Sequence, residues 1–123
     1  KGNPEPGSAV EGNSYSLTVG VVPNSAWTFS GSDRNGSVTG NNPTININSG
    51  DQLTLIVNNP GYPGHPMFIK TTQSVGTGNT VPGVSNNGGQ VGTIVWNTTG
   101  VTAGDYYYNC QYHSSMNGII RVS

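Results

Sequence analysis

The chain has 123 residues and only nine charged side chains, while Gly, Asn, Ser and Thr fill 61 positions. Ala and Leu together number six, too few for a helical bundle or coiled coil. A net charge of −1 with no basic run leaves no electrostatic footprint for nucleic acid or an anionic membrane, and the longest aliphatic stretch, Leu53 to Val57, is far short of a span. Disorder of this composition would call for high net charge, so one folded, turn-rich domain is expected. The single cysteine rules out an internal disulfide. Scarce charge and abundant Asn, Ser and Thr suggest an exported protein. No signal peptide is visible, which suits a mature or trimmed product. Asn35-Gly-Ser and Asn97-Thr-Thr are glycosylation sequons of a kind that arises often by chance in a chain this rich in Asn.

Residues 1–13 read as a flexible polar tail and 14–123 as a single domain. Short β-rich runs between Gly, Asn and Pro clusters predict a sandwich. Tyr15 to Val22 places Tyr15, Leu17, Val19 and Val21 on one face, and Ala26 to Ser30 does the same with Trp27 and Phe29. Residues 31–43 have turn density and are expected to be a loop. Thr44 to Asn48 alternates around Ile45 and Ile47. Gln52 to Asn58 points Leu53, Leu55 and Val57 one way, with Ile56 on the other face. Met67 to Thr71 is a short strand. Residues 72–90 form a long Gly/Asn/Ser/Thr segment, expected as a surface loop with a helical turn or as a functional lid. Val91 to Trp96, Asp105 to Cys110 and Gly118 to Val122 complete a set of about eight strands, with no repeat and no dividing linker.

Reactive side chains are scarce: two His, one Cys and two Met. Three of these five fall in Cys110-Gln-Tyr-His113-Ser-Ser-Met116, just after a predicted strand. A loop with that spacing can curl so that thiolate, imidazole and thioether converge. The other histidine lies in Pro63-Gly64-His65-Pro66-Met67. Taken singly, Cys110 reads as a small buried hydrophobe, His65 as a polar group at a turn, and Met116 and Met67 as fillers. Taken together, they are the only Cys and both His of an all-β chain. Two His and one Cys with a weak axial Met make a blue-copper electron-transfer set. Zinc also takes Cys and His, but Met serves it poorly. Ligation would also protect a lone thiol from oxidation.

With these residues in place, the chain resembles the cupredoxins, the small blue copper proteins that include plastocyanin and azurin. Gly104-Asp-Tyr106-Tyr-Tyr108-Asn-Cys110 is similar to the strand leading into that family's ligand loop, and Cys110-x2-His113-x2-Met116 has the short spacing of amicyanin. Phe29-Ser-Gly, Asn42-Pro-Thr44, Gly50-Asp51, Gly64-His65-Pro66-Met67-Phe68 and Gly83-Val-Ser-Asn-Asn-Gly88 resemble the family as well. The resemblance implies a Greek-key β-sandwich holding one copper ion on His65, Cys110, His113 and Met116, with the Gly64 carbonyl as a weak opposite axial group. It implies a one-electron carrier with no catalytic residue. Such a carrier would be an exported monomer (periplasmic, thylakoid-lumenal or extracellular) that docks a redox protein near His113. A copper enzyme acting on a small molecule such as nitric oxide, and a copper-holding domain of a larger secreted protein, are the alternatives.

Tyr106 and Tyr108 share a face with Cys110 and are expected in the core behind the site, one hydroxyl bonded to backbone as in a tyrosine corner. With nine scattered charges, docking is expected to use an apolar rim of Tyr62, Pro63, Pro66, Met67 and Tyr112, and so to be insensitive to salt. Many family members carry Asn directly after the first ligating His, its amide donating to the thiolate; here Pro66 has no N–H. Conversely, Gln111 and Tyr112 have amides where many members have Pro. Because a hydrogen bond to the sulfur weakens its donation and favours Cu(I), Pro66→Asn is expected to raise the midpoint potential in a redox titration. A variant titrating at or below the parent would count against this.

Overall fold

A computed structural model of the protein describes residues 12–58 and 64–123. Among them are ten strands and no helix: β1 (Ser14–Val22), β2 (Ala26–Asp33), β3 (Gly36–Asn41), β4 (Ile45–Ile47), β5 (Gln52–Asn58), β6 (Met67–Lys70), β7 (Val84–Ser85), β8 (Val91–Asn97), β9 (Gly104–Cys110) and β10 (Asn117–Val122). They form two mixed sheets, β3-β2-β1-β5-β8-β7 and β4-β10-β9-β6. The parallel pairs are β1 with β5 and β4 with β10. The all-β sandwich expected from the sequence is present, with two strands more than the expected eight.

The interior follows the period-two pattern. Leu17, Val19, Trp27, Phe29, Leu53, Leu55, Val57, Ile94 and Trp96 enter it from the larger sheet. Ile45, Ile47, Met67, Ile69, Tyr108, Cys110, Ile120 and Val122 enter from the smaller one. Each large apolar side chain buried this way contributes about 1.5–3 kcal/mol against exposure, which a chain without disulfides depends on. Ile56, on the outer face of β5, is 38% exposed. Tyr108 and Tyr106 sit behind Cys110 as expected: the Tyr108 hydroxyl donates to the Pro43 carbonyl, and Tyr106 donates to the Thr102 carbonyl four residues upstream at 2.7 Å. The second bond has the form of a tyrosine corner.

The segment 31–43 is a hairpin and not a loop. β2 runs on to Asp33 and pairs with β3 from Asp33↔Gly36 to Thr28↔Asn41. As an edge strand with one covered face, β3 buries only Val38, so its Gly, Ser, Thr and Asn content conceals it. The Asp33 carboxylate closes the turn, accepting from the N–H of Asn35 at 2.8 Å and of Asn46 at 2.7 Å. Residues 1–11 of the expected tail lie outside the described residues. Gly12 donates to the Gly50 carbonyl and the Asn13 N–H to the buried Asp51 carboxylate.

Most consequential is 72–90. It carries β7 and folds back along β6. The N–H of Val81 donates to the Ile69 carbonyl, that of Gly88 to Met67, and that of Met67 to Gly89. Between these, the Asn87 carboxamide copies a peptide group: its Oδ1 accepts from the Ile69 N–H at 2.7 Å and its Nδ2 donates to the Ile69 carbonyl at 3.1 Å. Gly88 lies at φ +89° directly over the Phe68 ring, where a Cβ would collide with it. The segment therefore serves as the missing neighbour of a short edge strand. Asn87→Ala leaves the Ile69 N–H without its acceptor, while the Ile69 carbonyl keeps its bond from Val81, and is expected to cost about 1–3 kcal/mol in urea denaturation. Parent-like stability would show that this pairing is dispensable.

Candidate metal centre

His65 stands two residues before Met67, and the β6–β9 register sets Met67 opposite Cys110, the last residue of β9. The chain then loops through 111–116 and returns as β10. That loop is cinched by two backbone bonds, Cys110 N–H to the Met116 carbonyl at 2.9 Å and Met116 N–H to the His113 carbonyl at 3.1 Å. His113 is thereby turned back over the thiol. Cys110 Sγ lies 3.4 Å from His113 Nδ1 and 3.9 Å from His65 Nδ1, and the three ligand atoms all lie within 4.8 Å of one another. Met116 is fully buried and lines the same cavity as Cys110 and His113. All four residues singled out in the sequence are therefore brought together.

Two donors about 2.3 and 2.0 Å from a common first-row metal, about 120° apart around it, lie about 3.7 Å from each other. The two sulfur–nitrogen distances fall on either side of that value, so the spacing of the thiol from each imidazole suits a shared ion. Burial is uneven: Cys110 and Met116 are inaccessible, His65 is 4% exposed and His113 is half-buried. Burial, with the neighbouring His113 imidazole second, pulls the His65 pKa below its ordinary value, keeping the ring neutral and fit to ligate.

Residues to which the sequence assigned no role hold this geometry. The Gln90 Oε1 accepts from the N–H groups of both Gly64 and His65, at 2.6 and 2.9 Å. Trp27 donates its indole N–H to the Met116 carbonyl at 3.0 Å and stands nearly perpendicular to the His65 ring. Asn42, at φ +47°, accepts from the Trp27 N–H and donates to the Ser115 carbonyl. The Gln111 amide, open to the thiolate as far as the sequence showed, instead donates to the Pro66 carbonyl at 3.1 Å. That bond links the two segments that carry the clustered residues. Gly64 itself has φ +94°, which favours glycine there.

A cavity of about 250 Å³ adjoins the centre, bounded by Gln73, Ser74 and Val75 on one side and by His113, Ser114 and Asn117 on the other. The expected rim is only partly present. Tyr112 is 61% exposed, but Pro66 and Met67 are buried, and Tyr62 and Pro63 lie outside the described residues. Val75, 47% exposed and lining the same cavity as His113, adds apolar surface that the sequence did not flag.

No protein-family model matches the sequence, and no curated protein does. Solved structures do. A rusticyanin variant is 25% identical over 98% of this chain and 85% of its own, with a TM-score of 0.54. Reduced rusticyanin is 24% identical over 89% of this chain and 78% of its own, at 0.52. Rusticyanin from Thiobacillus ferrooxidans is 23% identical over 89% and 76%, also at 0.52. The fold is that of the cupredoxins. Rusticyanin is a copper protein. In the cupredoxin frame of this chain, the four clustered residues occupy one end of the smaller sheet, where β6 begins and β9 gives way to β10.

The lowered His65 pKa has a consequence for the metal-free protein. An unfolded histidine takes up its proton near pH 6.5, before folded His65 does. Stability is therefore unpenalised above that pH and falls as pH drops from there through the folded value. Denaturation midpoints of the metal-free protein between pH 7.5 and 5 are expected to decline, and His65→Gln is expected to flatten the profile. An equally steep decline in the variant would assign it to other groups.

Proposed function

We propose that the protein is a type 1 copper protein that carries single electrons between redox partners, with His65, Cys110 and His113 as strong ligands and Met116 as the weak axial one. The Gly64 carbonyl is the candidate for the opposite axial position. The observation that carries this reading is the buried thiol facing two imidazole Nδ1 atoms at 3.4 and 3.9 Å. A thioether lining the same cavity favours copper over zinc. Copper bound there supplies a Cu(I)/Cu(II) couple.

The rest is done by the chain. Gln90 fixes the backbone of His65, and Gln111 ties the ligand loop to Pro66. Trp27 and Asn42 hold the loop at Met116 and Ser115. Ligands pinned this way move little between oxidation states, which keeps electron exchange fast. Burial of Cys110 and Met116 keeps water from the sulfur donors, and half-buried His113 is the route to the surface. Next to it, Tyr112 and Val75 offer a small apolar contact for a partner. The carrier is proposed to act as an exported monomer, and no described helix is long and apolar enough to cross a membrane.

A second reading, a copper enzyme acting on a small molecule such as nitric oxide, draws support from the cavity beside Cys110, His113 and Met116. Apart from Cys110 and His113, both assigned to the metal, no side chain lining it is a ready acid or base. The visible and EPR spectra of the copper-loaded protein separate the two. A carrier gives an intense thiolate-to-copper band and cycles reversibly between blue and colourless, whereas a water-ligated, tetragonal copper would favour the enzyme. Cys110→Ser is expected to abolish the intense band. Its survival would overturn the ligand assignment.

A further inference from the structure

Lys70 is fully buried, yet no side-chain carboxylate faces it among the described residues. Asp33 and Asp51 are engaged by backbone N–H groups, and Asp105 by Arg121. Along β6, Met67 and Ile69 point into the core, which sends Phe68 and Lys70 to the outer face of the smaller sheet. Lys70 would be an ordinary surface lysine were it not covered by the turn that follows. Its ammonium donates to the Ser74 carbonyl at 3.0 Å, the Ser74 hydroxyl at 3.1 Å and the Val75 carbonyl at 3.0 Å. All three donors of the group are used. Burial pushes its pKa down, as expected for a cation held only by neutral oxygens.

What this turn touches gives the arrangement its meaning. Asn109, the neighbour of Cys110, grips it from the same outer face, accepting from the Ser74 N–H and donating to the Thr72 carbonyl. Gln73 donates to Asn117, the first residue after Met116. The N–H of Gly76 donates to the carbonyl of Gln111 at 2.8 Å, inside the ligand loop. Ser74 and Val75 form one wall of the cavity whose other wall is His113, Ser114 and Asn117.

We infer that Lys70 is a positioning residue for the metal centre, its ammonium clamping the 72–76 turn onto the outer side of the ligand loop. This rests on the copper reading for its effect on the metal, though the clamp itself does not need metal. The turn Thr72-Gln-Ser-Val-Gly76 buries no apolar side chain, Val75 being 47% exposed, and a cation reaching two of its carbonyls from below supplies an anchor. With the clamp released, the Ser74–Val75 wall is free to move off the cavity beside Cys110, His113 and Met116 and admits more water to it. Water and the loss of a buried positive charge both stabilise the more highly charged oxidation state of a bound copper, so the potential falls.

Lys70→Met keeps the length of the side chain and removes the donors. In the metal-free protein, the Gly76 amide is expected to exchange with deuterium at least about tenfold faster in the variant, while amides in β1 and β5 keep their rates. In the copper-loaded protein, the midpoint potential is expected to drop and the visible and EPR parameters to shift, with Lys70→Arg restoring both in part. Unchanged Gly76 exchange overturns the clamp. Faster exchange with an unaltered spectrum and potential overturns its role at the metal. Should Lys70→Met fail to fold, Ser74→Ala removes one acceptor of the ammonium together with the Ser74–Thr72 hydroxyl bond. It must speed Gly76 exchange, and by more than Thr72→Val, which loses the hydroxyl bond but keeps the acceptor, or the inference falls. A parent protein that shows no intense band with copper would defeat the copper reading and leave the exchange result to decide the clamp.

Discussion

The candidate metal centre depends on one constraint, the antiparallel register of β6, β9 and β10. It sets Met67 against Cys110 on one side of β9 and Asn117 against Asn109 on the other. Cys110 is thus the last paired residue before the loop, on the face that points into the sandwich. Side chains alternate along a strand, so a slip of one residue would place Asn109 inward and the thiol outward beneath the 72–76 turn. Convergence of sulfur and nitrogen atoms is therefore decided by backbone pairing before any ligand is considered. The loop completes it, since the bond from Cys110 N–H to the Met116 carbonyl leaves too little chain for His113 to swing away.

Around that register the protein uses side-chain amides as though they were backbone. Asn87 pairs with both polar groups of Ile69, Asn109 with Thr72 and Ser74, Asn42 with Trp27 and Ser115, and Gln90 with two successive N–H groups. A carboxamide carries the same donor and acceptor as a peptide and can reach a strand from a segment running in any direction. This is how a long stretch without regular structure can lie against a short sheet without orphaning the sheet's edge. The high Asn content is thus part of how the chain binds itself, beyond marking turns.

What could be read in the sequence follows from this division. The eight expected strands carry their own period-two apolar residues, and each is present. β3 could not be read because an edge strand with one covered face needs only Val38, and β7 because two residues hold no period. The candidate ligands were legible because their chemistry is rare in this chain: one Cys, two His and a Met at even spacing. Their supports were not. Asn42 and Asn87 fall in segments that resemble the family, but nothing gives them or Gln90 a task until the fold brings a backbone group to each. Lys70 is harder still, since a lysine alternating outward from a strand looks like a solvated charge.

The same distribution bears on how a partner would reach the centre. Cys110, Met116 and His65 are sealed by the core, by Trp27 and by the ties to Gln90 and Pro66, and only His113 is half-exposed. Under the proposed function an electron has one short way out, and the surface beside it carries Tyr112 and Val75 with no charge among the cavity-lining residues. A partner drawn to such a surface gains little from long-range fields and must form its contact by shape and by burying a small apolar area. Such an area supports only brief association, which suits a protein that must release one partner to meet the next. The low charge of the chain is then consistent with its sealed centre: neither the approach to the site nor the site itself relies on exposed ions.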